Sequence, residues 1–184
     1  MRIAFCSAEV VPFAKTGGLA DVCGELPLAL EKLGEEIVII MPRYQCINAA
    51  KHSLKAVNKH VSKARIGDRI QVYFIEHADY YQRDGLYGNA RGEYPDNLKR
   101  FQFYCFKACE LLKQLNLKIE IIHLHDWQTA LMAAYLKILY RDDPYYQGIK
   151  SILTIHNMAF QGIFPAKLFP ELGVDRKYFN INGF

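Results

Sequence analysis

The chain contains 184 residues, of which 51% are hydrophobic and 23% are charged, and its formal net charge is +4. This length and composition predict one ordinary globular domain with a sizeable hydrophobic core, and they exclude a disordered chain. Lys and Arg are scattered along the chain rather than gathered in a basic run, so nucleic acid is not an expected partner.

The cysteines and the start of the chain bear on the cellular compartment. The five cysteines are an odd number without metal-ligand spacing, and Cys105 and Cys109 are predicted to fill the core from one face of a helix. Met1 leads directly into a predicted strand without a signal peptide, and no apolar run approaches the ~20 residues of a membrane span. We therefore expect a cytoplasmic protein that does not enter a membrane.

The first predicted strand covers residues 3–6 and leads through a loop into a predicted helix. Apolar residues between Leu19 and Leu33 recur at helical spacing. Lys15, Gly17 and Gly18 lie between the strand and the helix. Free N–H groups and the positive end of the helix dipole favour an anion there, and glycines permit close backbone approach. The loop is therefore either a phosphate-sized site or a simple tight turn beside a solvated lysine.

Two familiar nucleotide-binding motifs do not fit this loop. A P-loop requires a lysine after its glycines, whereas Lys15 precedes Gly17 and Gly18. The dinucleotide fingerprint G-x-G-x-x-G is also absent, which argues against a nicotinamide-dependent oxidoreductase.

The next segments continue an alternation of strands and helices. Gly34 is predicted to end the first helix, and residues 37–41 form a buried strand before Pro42. Residues 54–76 contain two β-like runs that meet near Gly67, which predicts a hairpin. Residues 79–97 form a long loop rich in Tyr, Gly, Asp and Arg, and loops of this length are usually functional or mobile.

The second half of the chain repeats the pattern. Residues 98–112 predict a helix with Asp96 as its cap, and residues 121–125 and 151–155 predict strands on either side of a helix at 129–140. The whole order predicts an α/β fold with a Rossmann-like, mostly parallel sheet flanked by helices. Polar clusters at 15–21, 125–128 and 156–161 each follow a strand, so they are expected to share one edge of the sheet.

Each cluster also has a structural interpretation. His123 and His125 share a face of their strand next to Asp126, but no third ligand group is evident, so no metal is expected. Asp126 is equally suited to cap the following helix. Trp127 suits either the core or a sugar face, and His156 is equally compatible with a structural hydrogen bond.

Hydrolytic chemistry is poorly represented in the sequence. No G-x-S-x-G elbow is present for a serine hydrolase, and the strand ends offer mainly Asp21 and Asp126 as a carboxylate pair for glycoside hydrolysis.

Several motifs resemble, in order, those of bacterial glycogen synthases and plant starch synthases. They are SAE at residues 7–9 with Pro12, KTGGLADV at 15–22, GLYG at 85–88, YPDN at 94–97, HDWQTA at 125–130, TIHN at 154–157, AFQG at 159–162 and FNING at 179–183. The resemblance covers essentially the whole chain. It implies the N-terminal Rossmann-like half of a two-domain GT-B glycosyltransferase.

The resemblance also implies an activity and its partners. The family transfers glucose from ADP-glucose to the non-reducing end of an α-1,4-glucan such as glycogen or starch, with retention and without a metal or other cofactor. By position, the residues with catalytic roles are His156, Lys15 and Asp21. Those that bind substrates are Lys15, Gly17, Gly18, Tyr94, Trp127, Gln128 and Asn157.

Within that set the resemblance implies distinct roles. Lys15 and the backbone of the two glycines bind the donor phosphates, and His156 lines the glucose site. Many relatives have histidine where this chain has Gln128, and an amide hydrogen-bonds a sugar but carries no proton.

Length is the main departure from the family, whose members are more than twice as long. The resemblance therefore assigns residues 1–184 to the N-terminal domain and implies that the C-terminal nucleotide-binding domain is absent. We expect this polypeptide alone to be inactive. Preference for ADP-glucose over UDP-glucose rests on the family match, and a non-catalytic carbohydrate-binding module is the alternative function.

Overall fold

The computed structural model describes residues 1–180, so residues 181–183 of the last motif lie outside the described residues. The strands are β1 (Arg2–Cys6), β2 (Glu36–Pro42), β3 (Lys55–Asn58), β4 (Val61–Ile66), β5 (Ile70–Ile75), β6 (Gly88–Asn89), β7 (Gly92–Glu93), β8 (Ile121–His125) and β9 (Lys150–Thr154). The α-helices are α1 (Gly18–Lys32), α2 (Ala78–Tyr81), α3 (Asn97–Gln114) and α4 (Trp127–Ile138), and short 3₁₀ helices cover Ala166–Leu172 and Arg176–Tyr178.

Seven strands form one mostly parallel sheet in the order β3-β4-β5-β2-β1-β8-β9, which confirms the predicted fold class. β1 is parallel to β2 and β8, β2 is parallel to β5, and β8 is parallel to β9. β4 is antiparallel to β5, which confirms the hairpin predicted near Gly67. β4 is also antiparallel to β3, a further strand that the two predicted runs did not include. β1 lies at the point where the strand order reverses direction. Since strand–helix–strand crossovers are right-handed, this reversal places α1 and α4 on opposite faces.

The core lies against the central strands. Phe5, Ile39, Ile40, Ile122 and Leu124 are fully buried, because helices or loops cover both faces of β1, β2 and β8. The two cysteines predicted to fill the core are also fully buried, at the α3 surface that faces the sheet. Among the described residues, no helix has the length and apolar character that a membrane span requires.

The loop predicted at residues 79–97 has more local structure than its composition indicated. It contains α2 and a small antiparallel pair, β6 and β7. Arg100, fully buried in α3, donates to the backbone carbonyls of Tyr80 and Leu86 over 2.8 and 2.9 Å. A buried guanidinium requires such acceptors, so it ties the segment to α3.

The prediction that the Asp96 side chain caps α3 is wrong. Asp96 precedes the helix, but its carboxylate makes no capping bond and instead accepts two hydrogen bonds from Arg83 at 2.8 and 2.7 Å. This bidentate ion pair lowers the pKa of Asp96. A charge-assisted fork is stronger than a single bond to a backbone N–H, which explains why the carboxylate turns away from the helix.

Candidate active site

A cavity of about 450 Å³ lies at the carboxyl ends of β1, β8 and β9. All three predicted polar clusters contribute to its walls, which confirms that they share one edge of the sheet. The sequence-selected residues that line it are Gly17, Gly18, Trp127, Gln128, His156 and Asn157. The site therefore lies beside the reversal of strand order, where ligands collect in open α/β sheets.

Gly17 and Gly18 present open backbone to this cavity. Gly17 has φ −154°, an extended conformation that any residue adopts, so backbone geometry does not require glycine there. A Cβ built on either glycine would meet no other atom within 4 Å. The glycines thus leave space for a ligand against the first turn of α1, where helix N–H groups lack intrahelical partners.

Glu9 organises this turn from below. It is 3% exposed, and its carboxylate accepts hydrogen bonds from the backbone N–H groups of Thr16 and Gly17, the latter at 3.3 Å. It also accepts bonds of 2.7 Å from the Thr16 and Tyr87 hydroxyls. The sequence analysis assigned Glu9 no role, although an acidic residue three positions after a buried strand is a signal that could have identified it. Glu9 fills part of the N–H concavity that we expected phosphates to occupy, which leaves the Gly18 side of the turn open.

Lys15 and Asp21 lie at the rim rather than in the cavity wall. Their side chains form an ion pair of 2.7 Å, and each is about half exposed. Exposed pairs of this kind contribute only ~0–1 kcal/mol, so an anion entering the site can recruit Lys15 at little cost. The phosphate-binding role of Lys15 stays a prediction, as does the role of Asp21.

Asp126 holds the backbone of His156 instead of capping α4. Its Oδ1 accepts a 2.7 Å hydrogen bond from the His156 N–H, whereas its side chain makes no capping bond to the helix that follows. Asp126 has φ +58° and ψ −178°, a strained backbone conformation that is normally adopted only by glycine. The capping interpretation is therefore wrong, and Asp126 instead links the ends of β8 and β9.

Three histidines lie in contact behind the cavity. The rings of His123 and His125 are 4.1 Å apart, and His125 Nδ1 lies 2.9 Å from His156 Nε2. Burial and, to a smaller extent, the neighbouring His123 and His156 together lower the pKa of His125 to about 3. His125 is therefore neutral at physiological pH, whereas His156 is partly exposed and reaches the cavity.

Cys23 is the other residue that sequence reasoning missed. It lies on the buried face of α1, and its sulfur comes within 4.8 Å of ring nitrogens of both His125 and His156. No third ligand group was evident beside His123 and His125 in the sequence, because Cys23 lies on a helix more than a hundred residues away in the chain.

Trp127 separates the candidate site from a neighbouring apolar cavity. Its ring packs edge-on against Phe101 and Phe164, with centroid distances of 5.1 and 5.5 Å. Gly162 has φ +64° and lies so close that an added Cβ would come within 2.7 Å of the indole. The indole is thus held firmly, and its cavity side remains available to a sugar.

Gln128 and Tyr94 differ in their access to the site. Gln128 is 6% exposed, and its buried Oε1 has no hydrogen-bond partner among residues 1–180. Tyr94 lies outside the cavity lining; its hydroxyl donates to the Asp84 carbonyl and its ring lies under Arg83 and Arg100. Its predicted contribution to substrate binding stays a prediction.

Comparison with known proteins gives consistent matches along the whole chain. The family model for the starch synthase catalytic domain matches residues 2–184. Glycogen synthase of Syntrophotalea carbinolica is 41% identical over 196 residues, and that of Geotalea uraniireducens is 42% identical over 195. The alignments cover 100% and 99% of this chain but 40% of each relative. The chain thus spans about two fifths of the length of these relatives.

A solved structure agrees with the sequence matches. The catalytic domain of starch synthase IV from Arabidopsis thaliana, bound to ADP and acarbose, superimposes with a TM-score of 0.81 and 28% identity. The match covers 99% of this chain and 39% of that one.

Proposed function

Because the chain belongs to the starch synthase catalytic domain family, we propose that it supplies one wall of the active site of an ADP-glucose-dependent glucosyltransferase. Its mostly parallel sheet is the Rossmann-like domain of a GT-B glycosyltransferase. The proposed reaction transfers glucose, with retention, from ADP-glucose to the non-reducing end of an α-1,4-glucan. Neither a metal nor another cofactor is required for this transfer.

The observation that carries the proposal is the joint exposure of Gly17, Gly18 and His156 in one cavity. The open first turn of α1 suits the donor diphosphate, because helix N–H groups and the dipole stabilise negative charge that grows as the diphosphate leaves. Lys15, freed from Asp21, adds a positive charge at the rim. His156 lies across the cavity, where its ring hydrogen-bonds a hydroxyl of the transferred glucose.

The walls on the other side suit the carbohydrate. Trp127 offers an apolar ring and Asn157 offers a polar amide group, whereas the amide oxygen of Gln128, which also lines the cavity, is buried. The Arabidopsis starch synthase IV structure contains ADP and acarbose, which supports an adenine nucleotide and a carbohydrate as ligands.

The remainder of the site is proposed to come from a further domain in the whole, cytoplasmic protein. Relatives extend well beyond the matched 40% of their length. In a GT-B enzyme the second domain closes the cleft from the opposite side and binds the nucleotide. The isolated 184-residue chain is therefore expected to be inactive.

The first test is the transfer of glucose from ADP-glucose to glycogen by the longer parent protein, beside its Lys15→Ala variant. Loss of one donor that acts on transition-state charge costs about 100-fold in rate, so Lys15→Ala should lower kcat by roughly that factor. Lys118→Ala is the matched control, because this exposed lysine precedes β8 at the opposite edge of the sheet. An active parent with an unchanged Lys15→Ala variant would remove Lys15 from the mechanism. A parent that transfers nothing from any sugar nucleotide but binds glucan would favour a carbohydrate-binding module.

A further inference from the structure

We propose that Cys23, His125 and His156 form a binding site for a zinc-like divalent cation whose occupation withdraws His156 from the cavity. One ligand atom from each residue lies within 4.8 Å of the other two. The three residues come from α1, the end of β8 and the segment after β9. Their convergence at the carboxyl edge of the sheet is therefore a property of the fold.

The donor set selects the cation. One thiolate and two imidazoles are preferred ligands of Zn²⁺, whereas Mg²⁺ and Ca²⁺ prefer oxygen. Zinc bonds of about 2.0–2.3 Å in a tetrahedral site place ligand atoms roughly 3.3–3.8 Å apart. The Cys23 sulfur, which lies within 4.8 Å of the ring nitrogens, therefore approaches them by at most about 1 Å, whereas the two nitrogens, now 2.9 Å apart, separate slightly. His156 is partly exposed and follows the edge strand, which makes it the ligand that can move.

The present contacts leave room for this rearrangement. Cys23 and His125 are fully buried and fixed on regular elements. Two ring nitrogens, His125 Nδ1 and His156 Nε2, face each other at 2.9 Å, and a cation would replace the proton between them. The other nitrogen of His125, Nε2, is buried and has no partner among residues 1–180, so the ring has no second bond to break if it turns.

Charge and access also favour a cation. The carboxylates of Glu9 and Asp126 lie close enough to Cys23 to interact with it electrostatically, and both line the cavity. Three protein ligands leave the fourth tetrahedral position open toward the cavity, where water completes the coordination. Binding releases the thiol proton of Cys23 to solvent, and the proton between the two rings moves to the other nitrogen of the ring that carries it, so both imidazoles bind in the neutral form and no oxidation state changes.

Cobalt titration of the 184-residue chain tests the site directly. Co²⁺ substitutes for Zn²⁺ and reports tetrahedral geometry in the visible spectrum and thiolate ligation as a near-ultraviolet charge-transfer band. We expect one Co²⁺ per chain with both features, displaced stoichiometrically by Zn²⁺. Cys23→Ala should abolish the charge-transfer band, and His156→Gln should weaken binding by at least about 10-fold.

Cys46→Ala is the matched control, because Cys46 is the exposed cysteine among the described residues. Circular dichroism of each variant verifies that it is folded. A charge-transfer band that survives Cys23→Ala and disappears in Cys46→Ala would place the metal on the surface and overturn the proposal. The absence of tetrahedral bands in the folded chain, or affinity unaffected by His156→Gln, would overturn it as well.

The consequence for catalysis rests on the proposed function, whereas the metal site does not. In the longer parent, Zn²⁺ should inhibit glucose transfer, because bound His156 no longer faces the sugar. The cobalt spectrum is recorded without ADP-glucose or glucan, so a negative result would refute the metal site without refuting the proposed transferase activity. Likewise, an inactive parent with a Cys23-dependent cobalt band would refute the transferase but retain the metal site.

Discussion

At the scale of single residues, Glu9 determines the shape of the first strand-to-helix turn. Its carboxylate binds Thr16 and Gly17 on one side of the cavity and Tyr87 on the other. The contact to Tyr87 joins the glycine turn to the segment that precedes α3. Glu9 is therefore a positioning residue, which holds the ligand-facing backbone without itself being required to touch a substrate.

Replacement of Glu9 by Gln should lower the free energy of unfolding by about 1–3 kcal/mol. The amide group of Gln is a donor, so at least one of the N–H or O–H groups that now point at the carboxylate loses its acceptor in a buried site. Urea unfolding of the 184-residue chain measures the change, and hydrogen exchange should show faster exchange of the Thr16 and Gly17 amides. Glu25→Gln on the exposed side of α1 is the control. Equal stability and equal exchange in the Glu9→Gln variant would contradict this role.

Single-residue roles were the hardest feature to predict from the sequence. The polar clusters were predicted because they follow apolar strands, and all three line one cavity. Their hydrogen-bond partners were not predicted, since Asp126 accepts a bond from His156 thirty residues away and Glu9 accepts one from Tyr87 seventy-eight residues away. Spacing along the chain predicts such contacts only within one helix or strand.

At the scale of elements, β9 differs from the other parallel strands. β1, β2 and β8 are mostly buried, whereas every residue of β9 is exposed or partly exposed. Ile152 and Leu153 point to opposite faces and are 46% and 43% exposed. Among the described residues β9 is also an edge strand, so its outer N–H and C=O groups are not paired with another strand there.

We expect the isolated chain to self-associate through β9, and Ile152→Lys to weaken that association. Burial of one large apolar side chain contributes ~1.5–3 kcal/mol, so the dissociation constant should rise by at least about 10-fold. Sedimentation equilibrium over a range of concentrations measures it. Val57→Lys is the matched control, because Val57 is 39% exposed on β3 at the opposite edge. If Val57→Lys has the larger effect, association occurs through the other edge; a chain that stays monomeric at all concentrations refutes the expectation.

Elements were predictable where hydrophobic periodicity is strong. The strands and long helices appear within a few residues of their predicted ends, because burial requires their apolar pattern. The short strand pair β6–β7 and the helix α2 were not predicted, since their sequences are mostly polar. Hydrogen bonds from the Arg100 and Asn97 side chains to the backbone of this segment stabilise it. The adjacent apolar residues Ile152 and Leu153 predict a buried strand, whereas both side chains of β9 are exposed in the structure.

At the scale of the whole molecule, we have proposed that the cavity is only part of a complete active site. Its lining residues come mainly from α1, the end of β8 and the segment after β9. Transfer of glucose requires the donor and the acceptor to be held together in a closed, oriented arrangement. Such positioning provides ~7–11 kcal/mol of the barrier reduction in well-oriented reactions.

We therefore expect the isolated chain to transfer glucose at a rate at least about 10⁵-fold below that of its longer parent, since even the lower part of that range corresponds to about five powers of ten. Both proteins are assayed at equal molar concentration with ADP-glucose and glycogen. The parent's His156→Ala variant is the control that gives the rate of a full-length protein with an impaired active site. ADP should raise the melting temperature of the parent by mass action and leave that of the isolated chain nearly unchanged, because one wall alone binds weakly. A tenfold difference in rate corresponds to only ~1.4 kcal/mol of activation free energy. If the isolated chain turned over within 10-fold of the parent's rate, the described residues alone would be sufficient for catalysis.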